Sequence, residues 1–148
     1  MEQELAQNSI MSENPIQVSQ FDHDRLVKLI DDAYFTDRRG SAYLARLKQE
    51  LERAQIVAPQ AVSHTVVTMN STVVLLDLET GEEETYTLVF PENADIAQGR
   101  VSILAPIGTA MLGYAVGDVF EWQVPAGTRR LQVKQILYQP EAAGDFHL

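Results

Sequence analysis

Between residues 20 and 58 the apolar residues recur every three or four positions, the spacing that places side chains on one face of a helix. This spacing predicts a first helix over 22–35, capped by Ser19 or Asp22, and a second helix that begins after Ser41. The two apolar faces consist of Leu26, Ile30 and Ala33, with Leu29 beside them, and of Leu44, Leu47, Leu51 and Ala54. Each helix has about fourteen residues and is therefore about 20 Å long.

The loop at 36–40 is short, which favours an antiparallel hairpin of the two helices. In a hairpin of this size the apolar contact between the two helices is too small to make it stable by itself. We therefore expect the hairpin to pack against the following domain, through Ile56, Val57 and the residues near Phe21. Two surface helices of one compact domain are the alternative.

Beyond Pro59 the period changes to two, or to short apolar runs, as is typical of strands. In chain order, strands are predicted at 66–69, 72–78, 84–90, 101–104, 119–124 and 131–138. Gly81 lies in the hairpin turn at 79–82, where a positive φ is expected. Residues 16–18 alternate and predict a short strand or clasp. Residues 139–148 have the composition of a loop, and residues 1–15 that of a disordered tail.

One short helix is predicted within 105–118, between two strands. Pro106 has a fixed φ and no N–H, which suits the first turn of a helix, and Gly113 suits the left-handed residue just past its end. The predicted fold is therefore α+β, a two-helix hairpin followed by an antiparallel sheet domain with one short helix. The predicted division is a tail at 1–15, a helical arm at 16–58 and the sheet domain at 59–148.

The composition of the chain argues against several classes of function. The formal net charge is −10, which argues against free binding to duplex nucleic acid and suits a basic protein partner, or simply solubility. There is no cysteine, and no apolar run long enough to cross a membrane. We expect a cytoplasmic protein without a membrane contact.

Catalytic chemistry has little support in the sequence. His23, His64 and His147 lie in unrelated segments without the spacing of metal ligands. Carboxylates at 31, 32 and 37 could share a divalent ion held elsewhere, although ordinary helix solvation explains them as well. We predict no catalytic residue, no metal site and no cofactor.

Several segments, in this order along the chain, resemble the C-terminal domain of the GreA/GreB transcript-cleavage factors. These are T-V-V-L-L-D-L-E-T-G-E from residue 72, T-Y-T-L-V from residue 85, A-D-I from residue 94, G-R-V-S-I from residue 99 and the stretch from Pro106 to Asp118. The short arm, the segment from Val66 and the tail from Tyr138 are similar to the relatives called regulator of nucleoside diphosphate kinase, over residues 16–148.

The resemblance implies an FKBP-like sheet domain, with the arm as a short counterpart of the Gre coiled coil, and binding to RNA polymerase at the rim of its secondary channel. In Gre factors the coiled coil enters the channel, where acidic tip residues help to hold a catalytic magnesium ion. The family's docking surface corresponds to Ala105, Pro106, Ile107 and Gly108, with Leu112 behind it in the core.

The arm tip departs from the Gre pattern. Asp32 and Asp37 are its nearest acids, and Arg38 and Arg39 follow Asp37 directly. Magnesium needs carboxylates at about 2.0–2.1 Å, which an arm near 20 Å long is too short to supply at the polymerase centre. We therefore predict a non-enzymatic modulator of elongation that competes with Gre-type factors without stimulating RNA cleavage.

Two other functions are possible. An FKBP-like fold suggests a prolyl isomerase, and Tyr86, Phe90, Tyr114, Phe120 and Trp122 would have to line its pocket. Phe120 and Trp122 share one strand face, however, which predicts that they fill the core. The name of the relatives suggests a regulator that acts through nucleoside diphosphate kinase, although the sequence shows no nucleotide site.

Overall fold

A computed structural model describes residues 16–36, 42–124, 127–146 and 148. The N-terminal part consists of β1 (Gln17–Ser19), α1 (Gln20–Thr36), α2 (Ala42–Glu52) and β2 (Gln55–Val57). Ser19 caps α1, as predicted, since its Oγ accepts a hydrogen bond from Asp22 N at 3.1 Å. The predicted cap Ser41 and the loop before it lie outside the described residues.

The predicted clasp forms at residues 16–19. β1 and β2 pair in parallel, with Val18 opposite Ile56, so the segment before α1 closes against the segment after α2. Gly113 makes room for this clasp, because a Cβ there would lie 2.2 Å from the Cγ2 of Ile16. The base of the helix pair is thereby held against the rest of the chain.

The second part is a five-stranded sheet with one short helix. Its elements are β3 (Thr72–Asp77), β4 (Glu83–Val89), β5 (Arg100–Ser102), α3 (Pro106–Met111), β6 (Val119–Val124), β7 (Gly127–Tyr138) and a terminal helix α4 (Pro140–Ala143). The strand order is β5-β4-β3-β7-β6. Every pair is antiparallel except β4 and β5.

The parallel pair corrects the prediction of a wholly antiparallel sheet. Two 3₁₀ turns, Pro91–Asn93 and Ile96–Gln98, carry the chain back before β5 begins. As a result Arg100 pairs with Thr87, and both strands run the same way. Gly99 ends this return with a φ of 76°, a left-handed conformation that suits glycine.

Residues 66–69 were predicted to form a strand, and this is wrong. They form only an isolated bridge, between Val66 and Ala115. Their partner is the tight turn after α3, where Val67 N donates to Tyr114 O and Gly113 N donates to Val67 O, both at 2.9 Å. A turn offers too few groups for a ladder, and Asn70, with a φ of 67°, then bends the chain away.

The tail beyond β7 is structured, which corrects the prediction of a loop. Gln139, only 3% exposed, caps α4 by accepting a hydrogen bond from Ala142 N. Its amide Nε2 donates to Ser63 O at 2.8 Å and to Val66 O at 2.7 Å. One buried side chain therefore fixes both the tail and the linker that follows the helix pair.

One hydrophobic core joins the two parts. Leu26 and Ile30 of α1, and Leu47 and Leu51 of α2, belong to the same buried cluster as the sheet residues. Ile56, through which a contact with the sheet domain was predicted, is 44% exposed and does not belong to this buried cluster. None of the described helices is both long and apolar enough to cross a membrane.

Candidate functional site

The corner at α3 is tied to β5 by backbone geometry. Pro106 opens the helix, as predicted, and Ala105 before it is extended. Ala105 N donates to Ser102 O at 3.0 Å, and the Thr109 hydroxyl donates to Ile103 O at 2.6 Å. These bonds fix the entry of the chain into α3, so the two residues at the corner have a defined position.

The five residues of the predicted docking surface differ in exposure. Pro106 is exposed and Ala105 is half-buried. Ile107 is 6% exposed, and Leu112, at 5%, lies in the core as expected. A Cβ on Gly108 would lie 2.1 Å from Ser102 O, so this residue packs directly on β5. Only Ala105 and Pro106 can therefore present a surface to a partner without rearrangement.

The helix pair lies directly beside this corner. A small cavity between α2 and α3 is lined by Arg46, Leu47, Glu50, Thr109 and Ala110, among others. Burial is the main cause that raises the pKa of Tyr114, at the rim of this cavity, to about 12. The phenol therefore stays neutral at physiological pH.

The predicted tip residues are only partly described. Asp32 is exposed on α1, and Lys28 Nζ lies 3.4 Å from its Oδ2, the i, i+4 pairing of a solvated helix face. Asp37, Arg38 and Arg39 lie outside the described residues. Within the described part of the chain, no three His, Cys, Asp or Glu side chains are grouped so that they could hold a metal ion.

Sequence reasoning missed a polar junction at the start of α1. Arg25 Nη2 donates to Asp22 Oδ1 at 2.6 Å and to the main-chain oxygen of Leu148 at 2.9 Å. The guanidinium also lies 3.9 Å from the ring centroid of Phe21 and 4.4 Å from that of Phe90. Arg25 therefore connects the helix pair, the end of β4 and the tail.

Asp22 is an unusual part of this junction, because it is a carboxylate with only 3% exposure. Burial raises its pKa from 3.8 to about 6, the hydrogen bond and charge of Arg25 oppose the rise, and the charge of Glu141 adds to it. Glu141 is itself 8% exposed and accepts a hydrogen bond from the Thr68 hydroxyl at 2.8 Å. The tail thus brings a second carboxylate towards the first.

A sequence signal for this tail existed. Gln139 is a polar residue at the cap position, and Pro140 follows it at the first helical position. A polar cap followed by proline is a pattern that starts a helix. Nothing comparable indicates Asp22, since a carboxylate in the first turn of a helix is normally solvated. Its surroundings include Glu141 and, against the Arg25 guanidinium, Phe90, which are distant in the sequence.

The aromatic residues considered for an isomerase pocket mostly fill the core. Phe120 is 1% exposed, and the ring of Tyr114 meets it edge-on, with the centroids 5.5 Å apart. Phe90 is 6% exposed, and the half-buried Tyr86 donates its hydroxyl to Glu84. The side chain of Trp122 lies outside the described residues. Three of the five residues are therefore not available to line an open pocket.

Comparison with known protein families covers almost the whole described chain. The model of the transcription elongation factor GreA/GreB C-terminal domain matches residues 62–138, just over half of the chain. The chain belongs to the GreA/GreB family. A second model, of the Rnk N-terminus, matches residues 14–57. The combination confirms the resemblance to the short-armed subgroup of this family.

Individual relatives agree with this assignment. This GreA/GreB-family protein is 38% identical to the regulator of nucleoside diphosphate kinase of Escherichia coli K12 over 139 residues, covering 93% of this chain and all of the relative. It is 39% identical to transcription elongation factor GreA of Desulfotalea psychrophila over 112 residues, covering 74% of this chain and 66% of that factor. Both names describe regulatory proteins.

A solved structure shares the fold. The transcription elongation factor GreA/GreB of Nitrosomonas europaea is 37% identical, covers 85% of this chain and all of its own, and superposes with a TM-score of 0.74. This confirms the α+β class, with a helical N-terminal region followed by a mostly antiparallel five-stranded sheet.

Proposed function

We propose that this protein is a non-enzymatic regulator of transcription elongation that binds RNA polymerase near its secondary channel. Family membership supports the polymerase as partner, since a relative covering most of the chain is named a transcription elongation factor. The same relative is longer than the matched region, because only 66% of it is covered. The length of the arm is therefore the feature to consider.

The short reach of the helix pair carries the proposal. Helix α1 has 17 residues. Among its described side chains the last buried residue is Ile30, and the six residues from there to Thr36 extend the helix by about 9 Å. On α2 the first buried residue among the described side chains is Leu47, and the five residues back to Ala42 account for about 8 Å. Between these two buried residues and the described ends of the helices, little more than one and a half helical turns of each helix remain.

This reach favours binding without catalysis. Carboxylates that coordinate magnesium do so at about 2.0–2.1 Å, so the acids of an arm must reach the ion itself. An arm whose base is packed into its own sheet domain would occupy the channel mouth and leave its tip far from the polymerase centre. We therefore expect the protein to exclude longer-armed Gre factors and to stimulate no RNA cleavage on a stalled complex.

For the polymerase contact we propose the exposed Pro106 together with the half-buried Ala105 before it. This choice is supported by their accessibility at the start of α3, a corner whose position is fixed by hydrogen bonds to the segment 102–103 at the end of β5. Replacing Ile107 would be a poor test, because an acid at a site that is 6% exposed would damage the fold. Pro106→Arg changes only the exposed residue.

The contact can be tested by co-purification with RNA polymerase. Pro106→Arg should bind at least tenfold more weakly than the unmodified protein, with the same unfolding temperature. Pro91→Arg is the matched control, because Pro91 also opens a short helical turn, at a different place on the sheet domain. Equal loss of binding in both variants, or none in Pro106→Arg, would place the contact elsewhere.

A second candidate is a regulator that acts through nucleoside diphosphate kinase. It is favoured by one observation, the name of the Escherichia coli relative, which is 38% identical over its whole length. The two candidates separate in a direct binding measurement with purified partners. Binding to the kinase but not to the polymerase would replace the main proposal.

A further inference from the structure

An open apolar groove lies on the helix pair, away from the α3 corner. It has a cavity volume of about 320 Å³ and is lined by Val27 and Ile30 of α1, Leu51 of α2, and Ala54 and Ile56 that follow. Val27 is 38% exposed and Ile56 is 44% exposed, whereas Ile30 and Leu51 form the buried floor. The groove therefore offers apolar surface that no described part of this chain covers.

Ile56 of β2 lines the groove, and β2 is paired on one side. Among the described residues, β2 has a single neighbour, β1. Gln55 N donates to Ile16 O at 2.8 Å, towards β1. Successive N–H groups of a strand point to opposite edges, so the N–H of Ile56 points away from β1. An extended chain laid along this edge would find backbone groups ready to pair.

We propose that β2 and the groove beside it bind an extended, basic and apolar segment of a partner protein, which adds as a strand to the free edge of β2. Alternate side chains of an added strand point to one face, so its apolar residues would enter the groove. A helix would leave the N–H of Ile56 unpaired.

Charge selects the chemistry of the segment. The groove is lined by the exposed carboxylates of Asp31 and Glu52 and by the exposed Lys48, with the half-buried His23 beside them. The acids outnumber the lysine two to one, and the whole chain has a formal charge of −10. Lysine or arginine at the positions that point outwards would lie in this acidic field, whereas an acidic segment would be repelled. The site is separate from the proposed polymerase contact, so each can fail without the other.

The probe is a synthetic peptide, Lys-Ile-Lys-Ile-Lys-Ile-Lys, added to the full-length protein labelled with ¹⁵N. The matched control peptide carries an N-methyl group on its central isoleucine, which removes one backbone donor and leaves the composition unchanged. Amide shifts and hydrogen exchange at Ile56 are the readouts, since strand addition must protect that N–H.

We expect the first peptide to slow exchange at Ile56 at least tenfold, to shift the amides of Val27 and Leu51, and to bind at least fivefold more tightly than its N-methyl control. Val27→Glu should weaken binding about tenfold. Val119→Glu, at an exposed valine of similar exposure (40%) on β6, should leave binding unchanged.

Four results would overturn the proposal. The first is no shift at Val27 or Ile56 at millimolar peptide. The second is equal binding of the N-methyl peptide, which would show that the strand edge is not used. The third is tighter binding of a Leu/Lys peptide with helical spacing. The last is slow exchange at Ile56 before any peptide is added, which would show that a second copy or another segment of this chain already covers the edge.

Discussion

Replacing Asp22 by asparagine should stabilise the protein at neutral pH. Asp22 is 3% exposed, and burial is the main cause that raises its pKa from 3.8 to about 6. The folded state therefore binds a proton more tightly than the unfolded chain does between these two values. The contribution of Asp22 to the free energy of unfolding consequently falls as the pH rises from about 4 to about 6.

The magnitude follows from the same two values. The difference between 3.8 and about 6 corresponds to about 3 kcal/mol in the free energy of unfolding at pH 7. The asparagine amide keeps an oxygen that can accept the hydrogen bond of Arg25 and resembles the protonated acid in size. Relative to the unmodified protein, Asp22→Asn should therefore gain up to about 3 kcal/mol between pH 4 and pH 7.

Urea unfolding at pH 4, 5, 6 and 7, followed by the fluorescence of the single tryptophan, measures this difference. Asp24→Asn is the control, because Asp24 is exposed on the same helix, where its Oδ1 accepts a hydrogen bond from Gln20 Nε2 at 2.7 Å and lies 3.9 Å from His23 Nδ1. If the free energies of unfolding of Asp22→Asn and of the unmodified protein differ by the same amount at every pH, the reasoning is refuted. A gap that changes in the opposite direction would show that the ion pair with Arg25 outweighs burial.

Two further predictions concern the sheet. Burial opposes ionisation of Asp77, but hydrogen bonds from Arg129, Glu79 N and Thr80 N outweigh it and lower its pKa. Asp77→Ala should therefore lower the urea midpoint at neutral pH, by a margin that shrinks as the pH falls below 3.8. Gly108→Ala should cost about 1–3 kcal/mol or more, seen as a lower unfolding temperature, because its Cβ would lie 2.1 Å from Ser102 O.

Local signals in the sequence predicted most of the elements. The helical spacing around Leu26 and Leu47, the cap at Ser19, the turn at Gly81 and the proline that opens α3 each depend on residues close together in the chain. The GreA/GreB resemblance was confirmed for the same reason, because its motifs are contiguous segments.

What the sequence did not predict depends on contacts between distant residues. The parallel pairing of β5 depends on how far residues 90–99 return along β4. The failure of residues 66–69 to form a strand depends on a partner that turns out to be a tight turn. The buried junction needs Asp22, Arg25, Phe90 and Glu141 together, and no periodicity connects these residues.

The candidate site shows the same limit. Family likeness indicated the segment at α3, but not which of its residues reach the surface. Burial leaves Ala105 and Pro106 accessible and places Ile107 and Leu112 in the core. The arm residues 37–39 lie outside the described part, so their role stays a prediction.

The central claim is that the protein occupies the polymerase channel mouth without reaching the catalytic centre. Transcript cleavage by backtracked RNA polymerase, measured with this protein alone and then in competition with an authentic GreA, tests this most directly. We predict no stimulation by this protein alone, even at saturation, and a graded loss of GreA-stimulated cleavage as its concentration rises. Robust cleavage with this protein alone, or GreA activity that is unaffected by a large excess of it, would contradict the account.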